Sequence, residues 1–465
     1  MLDGPVGLVF FSLFALINAT SILKLKKPYQ IFLAASIVSA PWQGGVWLGF
    51  LSMDLRLTYI FLIAAIATMG QKKVKWPKNQ KITFMITFPA ILMFSWATIS
   101  AFQAYDMNLA LGGVVILILN FLYMSTIIKA MESYTDFDWL IKSLCLGLLY
   151  PCIYALIQYK VPFLHIGFID GRFTTFMFWR TRSLFLHANQ FGMYQLILLP
   201  IIFRQIMIAL QRKDKKMMRL MVGLFLLSVF TLYTTGNRGS WVGFAFGMTT
   251  VFGIDMFRRG NKKTKRILTR VLSGILVVLV IASARYGQRV VGRFTGEGQI
   301  SAAKQAEHRK ELNADAYRLL EQYPVTGVGI YNFRYYATVI FTHNLYLLIP
   351  SEIGYPGLAF FLWIIFGFLI QGRKAMKHDF YLISNMGSGL LATLFGLLLA
   401  SYPGPDFWIS NQVSSALWIV IGIVISLNRL AHLTPNSKKR RLKRRPAPNR
   451  RNIPVDNLRR APAYN

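Results

Sequence analysis

The stretch ALGGVVILILNFLYMSTII, residues 110–128, is one of the apolar blocks that decide the fold of this chain. Such blocks are roughly 18–22 residues long, the length of helix that crosses a bilayer core of about 30 Å. Hydrophobic residues make up 54% of the 465 positions, and charged residues make up only 15%. These are too few charges to cover a soluble protein of this size, so the composition predicts an all-α polytopic membrane protein.

The apolar blocks predict twelve or thirteen transmembrane helices, near residues 4–23, 29–48, 53–70, 82–101, 110–128, 140–158, 188–206, 218–234, 239–257, 267–284, 343–370, 380–401 and 411–428. The first block has no basic region before it and no small-residue cleavage site after it, so we interpret it as a transmembrane helix rather than a signal peptide. The connection at 24–28 is short, which leaves open that this block is a re-entrant or interfacial helix.

Basic residues are concentrated in one set of alternating connections. This set holds 38 of the 52 Lys and Arg residues and 7 of the 18 Asp and Glu residues, a net charge of +31, and comprises residues 24–28, 71–81, 129–142, 204–219, 255–270, 371–379 and 429–465. The whole chain carries +34. Such an asymmetry predicts that the basic connections are cytoplasmic. Because the charge follows the topology, it does not indicate a nucleic-acid partner.

The predicted domain organisation is a transmembrane domain, residues 1–428, and a basic C-terminal tail, residues 429–465. Two long connections face outward, residues 159–187 and 285–342, and the second contains a polar, helix-compatible stretch at 301–322. The tail is rich in Lys, Arg, Pro and Asn, so we expect it to be disordered in the cytoplasm and to bind anionic membrane lipids. A specific cytoplasmic partner for the tail is the alternative.

Arginine, rather than lysine, dominates the outward-facing segments. Three lysines lie there, together with ten arginines: Arg172, Arg180, Arg182, Arg238, Arg285, Arg289, Arg293, Arg309, Arg318 and Arg334. The planar guanidinium group binds phosphate or carboxylate through two parallel hydrogen bonds. The pattern therefore indicates an anionic ligand such as a lipid diphosphate, with Arg172 and Arg182 among its candidate contacts. Pairing with lipid headgroups or neighbouring carboxylates is the alternative for each arginine.

Arg238 lies in the junction between two predicted helices, residues 234–241, which leaves no room for a long loop. A charge at such a position is costly unless it faces a wet cavity or a partner. Gly236 and Gly239 allow the backbone to turn closely around it. The junction therefore predicts a ligand contact for Arg238, with a side chain that reaches the membrane surface as the alternative.

Two histidines begin predicted helices on the outward face. His343 lies where the second long connection returns to the membrane, and an imidazole there is suited to act as general base toward a sugar hydroxyl. Glu352 is nine residues further on, too far along a helix to pair with it. His187 and Asn189 begin another helix on the same face. An interfacial polar residue is the alternative interpretation of His343.

No cofactor is expected from the sequence. The outward histidines lack the tight spacing with carboxylates that is typical of a metal site. The chain also lacks the glycine-rich motifs of nucleotide-binding and dinucleotide-binding proteins.

Four motifs along residues 180–425 resemble, in order, those of the bacterial O-antigen ligase and O-antigen polymerase family. They are His187-Ala188-Asn189 with Leu-Leu-Pro at 198–200, the junction at 236–241, Arg309 with residues 324–329, and residues 343–346 with 352–354. Three positions depart from the family pattern: Ala188 replaces Pro, Asn237 replaces Ser, and Asn313 stands where an aromatic residue often occurs. None of these departures removes a candidate catalytic group.

The resemblance implies a metal-independent glycosyltransferase with a GT-C-like helical bundle in the bacterial plasma membrane. It implies a glycan donor on undecaprenyl diphosphate and a glycan, lipid or protein acceptor outside the membrane. Arg238 and Arg309 would hold the diphosphate, His343 would activate the acceptor, and His187, Asn189, Asn344 and Glu352 would support them. Ligase, polymerase and protein O-oligosaccharyltransferase stay open. A small-anion transporter and an envelope-assembly scaffold are the alternatives of other classes.

Overall fold

The computed structural model describes residues 5–42, 45–48, 53–70, 83–161, 166–169, 172–175, 180–259, 302–338, 342–402 and 404–433. The helices in these ranges are α1 (Pro5–Ile17), α2 (Pro28–Ser39), α3 (Leu57–Met69), α4 (Phe88–Ala101), α5 (Met107–Ala130), α6 (Tyr134–Lys160), α7 (Ala188–Gln211), α8 (Lys215–Thr234), α9 (Arg238–Arg259), α10 (Ala302–Gln322), α11 (Phe333–Tyr336), α12 (Leu345–Met376), α13 (Tyr381–Ala400), α14 (Asp406–Ile409) and α15 (Asn411–Leu433). Short π-helical turns follow α1 at Asn18–Ile22 and precede α4 at Thr83–Thr87.

The all-α polytopic architecture is confirmed. Twelve of the thirteen predicted spans lie wholly or mostly within the described ranges, and each of them contains a helix, whereas 267–284 lies outside the described residues. Within these ranges seven helices are long and apolar enough to cross a membrane: α5, α6, α7, α8, α12, α13 and α15. The apolar helices near the N-terminus, α1 to α4, are shorter. Residues 302–322 form α10, as their polar, helix-compatible sequence predicted.

The predicted helix at 29–48 is wrong in its second half. Helix α2 ends at Ser39, and residues Gly45–Leu48 form strand β1, which pairs antiparallel with β2 (Met53–Arg56). Pro41 has no amide hydrogen and its ring clashes with the preceding helical turn, so it ends the helix inside an apolar block. A second hairpin, β3 (Ile166–Ile169) with β4 (Arg172–Thr175), lies in the first long connection.

Two arginines at the start of the basic connections lie inside helices. Arg204 is fully buried in α7, where its Nη2 donates to the Val251 carbonyl oxygen at 3.3 Å. Arg429 is buried in α15 and donates to the carbonyl oxygen of Met131. Both charges are accommodated because carbonyl oxygens of neighbouring segments face them. Helix α7 therefore continues to Gln211 and α15 to Leu433.

The alternating helix directions give the bundle two distinct ends. At one end, called here the site end, lie the chain segments around residues 101–107, 160, 180–188, 234–238, 342–345 and 400–411. At the opposite end, Arg212 Nη1 lies 3.0 Å from Asp138 Oδ1, and Arg212 Nε donates to the Tyr381 hydroxyl at 3.2 Å. The connection around Arg212 belongs to the basic set of the sequence, so the two ends differ in charge.

Small residues bring α9 and α13 into close contact. A methyl group added at Gly243 would lie 2.6 Å from the Gly396 carbonyl oxygen, and one at Gly247 would lie 2.8 Å from the Ala392 carbonyl oxygen. Such seams of small residues allow membrane helices to gain van der Waals contact along their backbones. The seam fixes the beginning of α9, which carries Arg238, against the last turns of α13.

Helix α12 is kinked where Ile353 and Gly354 leave the helical conformation, with φ at Gly354 of 70°. The segment after α10 packs into this kink. The Val328 and Gly329 amides donate to the carbonyl oxygens of Ser351 and Glu352 at 3.0 and 2.8 Å. Backbone groups that the kink frees from helical bonding are thereby satisfied. The motif at 324–329 therefore packs directly against the motif at 352–354.

Candidate active site

The loop before α7, residues 180–186, carries two arginines and is called here the arginine loop. Arg180 Nε donates to the Thr235 carbonyl oxygen at 2.7 Å, and Arg180 Nη2 donates to Asn189 Oδ1 at 2.5 Å. The Thr181 amide donates to the Thr234 carbonyl oxygen at 3.0 Å. The arginine loop is therefore fastened both to the beginning of α7 and to the end of α8.

The junction between α8 and α9 is as tight as its sequence predicted. Helix α8 ends at Thr234, Gly236 has a φ of 60°, and Arg238 begins α9. The Asn237 side-chain amide donates to the Asn189 carbonyl oxygen at 3.1 Å and to Ser240 Oγ at 2.8 Å. Asn237, where the family pattern has Ser, thus links the beginnings of α7 and α9.

Positive charges are concentrated at this junction. Burial lowers the pKa of Arg180; nearby Asp406 opposes this shift and Arg238 adds to it. Burial also lowers the pKa of His187, and the charges of Arg182 and Arg180 lower it further. These mutual effects indicate that the three arginines and His187 share one electrostatic environment. Such an environment attracts anions.

Asp406 is the acidic member of the cluster and was missed in the sequence. It begins α14 in the connection between α13 and α15, and its side chain is buried. Burial raises the pKa of this carboxyl to about 7, although the charge of Arg180 acts in the opposite direction. A signal was present: an Asp after Gly404-Pro405, in a short connection at the end where arginines dominate.

His343 lies two residues before α12, near the C-terminal end of α13. Asn344 caps the helix by accepting a 2.9 Å hydrogen bond from the Tyr346 amide, and the Leu345 amide donates to the Ser401 carbonyl oxygen at 3.1 Å. Because α13 also packs against α9 through its glycine seam, the end of α13 lies between Arg238 and His343. The structure therefore brings both residues to the site end.

Arg309 lies on α10, which runs beside the beginning of α12. One turn after it, Asn313 Oδ1 accepts a 2.7 Å hydrogen bond from the Thr342 hydroxyl, next to His343. The side chains of Arg309 and of Arg172, which lies in β4, are outside the described part of the structure. The fold thus places the Arg309 backbone in the same region as His343.

Glu352 has a structural role in the site: its carboxylate bonds to Tyr331 and Trp408 rather than to His343. The side chain is buried, Oε1 accepts from the Tyr331 amide at 3.0 Å, and Oε2 accepts from Trp408 Nε1 at 2.7 Å. The Glu352 carboxylate therefore joins α12 to the segment after α10 and to α14. Among the described residues, no three His, Cys, Asp or Glu side chains are grouped as a metal site would require.

Fold and site together define a polytopic membrane protein with a cluster of arginines around His187 at one end of its helical bundle. A family model described as O-antigen ligase matches residues 223–362. This match, over less than half of the chain, supports the resemblance to the O-antigen ligase and polymerase family. The matched residues include Arg238, Arg309 and His343, whereas the arginine loop precedes them. A search of curated proteins finds no match to the chain.

Proposed function

We propose that this protein transfers a glycan from an undecaprenyl-diphosphate carrier to a hydroxyl of an acceptor outside the bacterial plasma membrane. The observation that carries the proposal is the cluster of Arg180, Arg182 and Arg238 at one end of an apolar helical bundle. A lipid-linked diphosphate needs both an apolar path for its chain and a cationic site for its headgroup. Arg309 and Arg172 join this donor site in the proposal.

Two features favour a departing diphosphate at this position. Helices α7, α9 and α12 all begin at the site end, and helix N-termini carry partial positive charge and free amide groups. Fixed guanidinium groups also stabilise the negative charge that develops on the leaving diphosphate without the need for a metal ion. Asp406, as the buried carboxyl near Arg180, partly balances these charges before the donor binds.

The two histidines are assigned different roles. Burial, and then the charges of Arg182 and Arg180, disfavour the protonated form of His187, so this imidazole is suited to hydrogen bonding rather than to accepting a proton. His343 lies two residues before α12, and it is the residue we assign to activating the acceptor hydroxyl. Asn344 and Glu352 hold the beginning of α12, while Asn189 holds the Arg180 guanidinium group.

The proposed sidedness follows from charge. The site end is opposite the connection that contains Arg212, which belongs to the basic set. If that set is cytoplasmic, the site faces outward and the C-terminal tail lies in the cytoplasm, where anionic lipids would bind it. The plasma membrane of a bacterium is the membrane in which we place the protein.

The decisive experiment is transfer in vitro by the purified full chain, from a defined undecaprenyl-diphosphate glycan to candidate acceptors. Arg238→Ala, Arg309→Ala and His343→Ala should each abolish transfer. Arg212→Ala, at the opposite end of the bundle, is the matched control and should retain it. Full transfer by all three site variants would refute the proposal. Product size separates a ligase, which adds one glycan, from a polymerase, and the accepted substrate identifies protein glycosylation.

Transport of a small anion is the second candidate, and the buried Arg204 favours it. Ionisable groups inside a membrane bundle often mark transport pathways. Arg204 lies about two turns from the end of α7 and contacts Val251 and Asn385, far from the arginine loop. Anion uptake into proteoliposomes that contain no glycan donor, lost in Arg204→Gln, would favour the transporter over the enzyme.

A further inference from the structure

Gln158 is a buried polar residue of α6 that no motif of the sequence singles out. It lies two residues before the end of the helix at Lys160, and 1% of its surface is exposed. Its Oε1 accepts hydrogen bonds from the Arg182 amide at 3.0 Å and from the Ser183 amide at 2.9 Å. One side-chain oxygen of α6 thus holds two consecutive amides of the arginine loop.

The arginine loop needs such a partner because its backbone is irregular. Ser183 has a φ of 56°, a left-handed conformation that side chains other than glycine seldom adopt. Buried amides outside helices and sheets must find other acceptors, since an unsatisfied buried amide is costly. The Ser183 hydroxyl adds a second contact to α6 by donating to the Pro151 carbonyl oxygen at 2.6 Å.

The opposite side of the loop is held by α8. The Thr181 hydroxyl lies 2.6 Å from the Thr234 hydroxyl, and Arg180 Nε bonds to the Thr235 carbonyl oxygen. The loop therefore spans from α6 to α8, and Gln158 fixes its position on the α6 side. Loss of that contact would remove the acceptor of the Arg182 and Ser183 amides, whereas the contacts of Arg180 to Thr235 and Asn189 do not involve Gln158.

We infer that Gln158 is a positioning residue for the donor site, acting through the backbone of Arg182 and Ser183. Its oxygen holds the arginine loop where Arg182 and Arg180 can bind the diphosphate together. This inference rests on the proposed function. It concerns donor binding, which can be measured without any transfer taking place.

The test compares Gln158→Met with Gln195→Met in the full chain, using undecaprenyl diphosphate without a glycan as the probe. Gln195 is equally buried in α7, and its amide donates to Thr231 Oγ1 at 2.6 Å and to the Ser228 carbonyl oxygen at 3.0 Å, away from the arginine loop. Gln158→Met should raise the Kd for the probe about tenfold, equivalent to about 1.4 kcal/mol. Gln195→Met should leave the Kd unchanged.

Kinetics and a second variant distinguish positioning from general stability. With the glycan donor, Gln158→Met should raise KM while kcat at saturating donor stays near the wild-type value. Ser183→Ala removes the other contact of the arginine loop to α6 without adding a charge and should also raise the Kd, which covers the case in which Gln158→Met does not fold. A wild-type Kd in folded Gln158→Met, an equal loss in Gln195→Met, or a wild-type Kd in Ser183→Ala would each overturn the inference. If the wild-type protein binds the probe but transfers no glycan, the proposed function fails while the positioning role stands.

Discussion

The Trp408 indole nitrogen donates a 2.7 Å hydrogen bond to Oε2 of Glu352, which joins α14 to the kinked segment of α12. The other carboxylate oxygen is used by the Tyr331 amide. Both donors are N–H groups, so the side chain at position 352 must offer a hydrogen-bond acceptor to each of them. A carboxylate meets this requirement, and an amide side chain does not.

Replacement of Glu352 by Gln should therefore destabilise the protein. The new NH₂ group would face either Trp408 or Tyr331, which leaves a buried donor unsatisfied at a cost of about 1–3 kcal/mol. Thermal unfolding of the purified protein should show a clear drop for Glu352→Gln. The control is Glu321→Gln, at an exposed position of α10. Equal melting temperatures for Glu352→Gln and the wild type would contradict the structural role assigned here.

The glycine seam between α9 and α13 gives a second prediction. Gly243→Ala would place a methyl group against the Gly396 carbonyl oxygen, so the helices must separate, at a cost of about 1–3 kcal/mol. Because α9 carries Arg238, we expect transfer to fall together with thermal stability.

Gly223→Ala is the matched control for the seam. Gly223 lies in α8 with no atom within 4 Å of an added methyl group. Alanine forms helix better than glycine by about 1 kcal/mol, so this variant should be neutral or slightly stabilised. If both alanine variants behave alike, close packing of α9 on α13 is not what fixes Arg238.

Asp406 should make donor binding dependent on pH. Burial raises the pKa of its carboxyl to about 7, so it is neutral below that pH and charged above it. The charged form balances Arg180, next to which lie Arg238 and His187, and so weakens the attraction for a diphosphate. The affinity for undecaprenyl diphosphate should fall several-fold as the pH rises through about 7, and Asp406→Asn should remove this step. A step that persists in Asp406→Asn would exclude Asp406 as its origin.

The same carboxyl affects folding with a defined sign. In the unfolded chain an Asp titrates near about 4, so between that pH and about 7 the folded protein binds more protons than the unfolded one. Its contribution to stability is therefore lost as the pH rises across this interval. His187 has a lowered pKa, so it titrates below its usual range near pH 6.5 and does not produce the step near 7.

Much of the fold could be predicted from the sequence because the bilayer demands long apolar helices. The end of α2 was missed although its signal is local, because Pro41 lies inside an apolar block. The burial of Arg204 could not be predicted, because it depends on the neighbouring segments that supply its hydrogen-bond partners.

The candidate site was predicted in part. Local signals predict the junction at Arg238, the helix that begins after His187 and the position of His343 before a helix. Turns and helix N-termini are determined largely by residues adjacent in sequence. Gln158 has no such local signal, and the signal of Asp406 after Gly404-Pro405 does not reveal its partner. Their roles depend on the proximity of Arg180 and of the Arg182 amide, which are distant in the chain and meet only in the folded bundle.

The kink of α12 has a consequence for biosynthesis. The amides of Val328 and Gly329, which satisfy the exposed carbonyl groups of Ser351 and Glu352, precede α12 in the chain. The segment that contains Val328 and Gly329 is therefore synthesised before the helix whose carbonyl groups it satisfies. A circular permutant whose new N-terminus lies between residues 329 and 345 would reverse that order, and α12 would enter the lipid before the Val328 amide could satisfy the Ser351 carbonyl group.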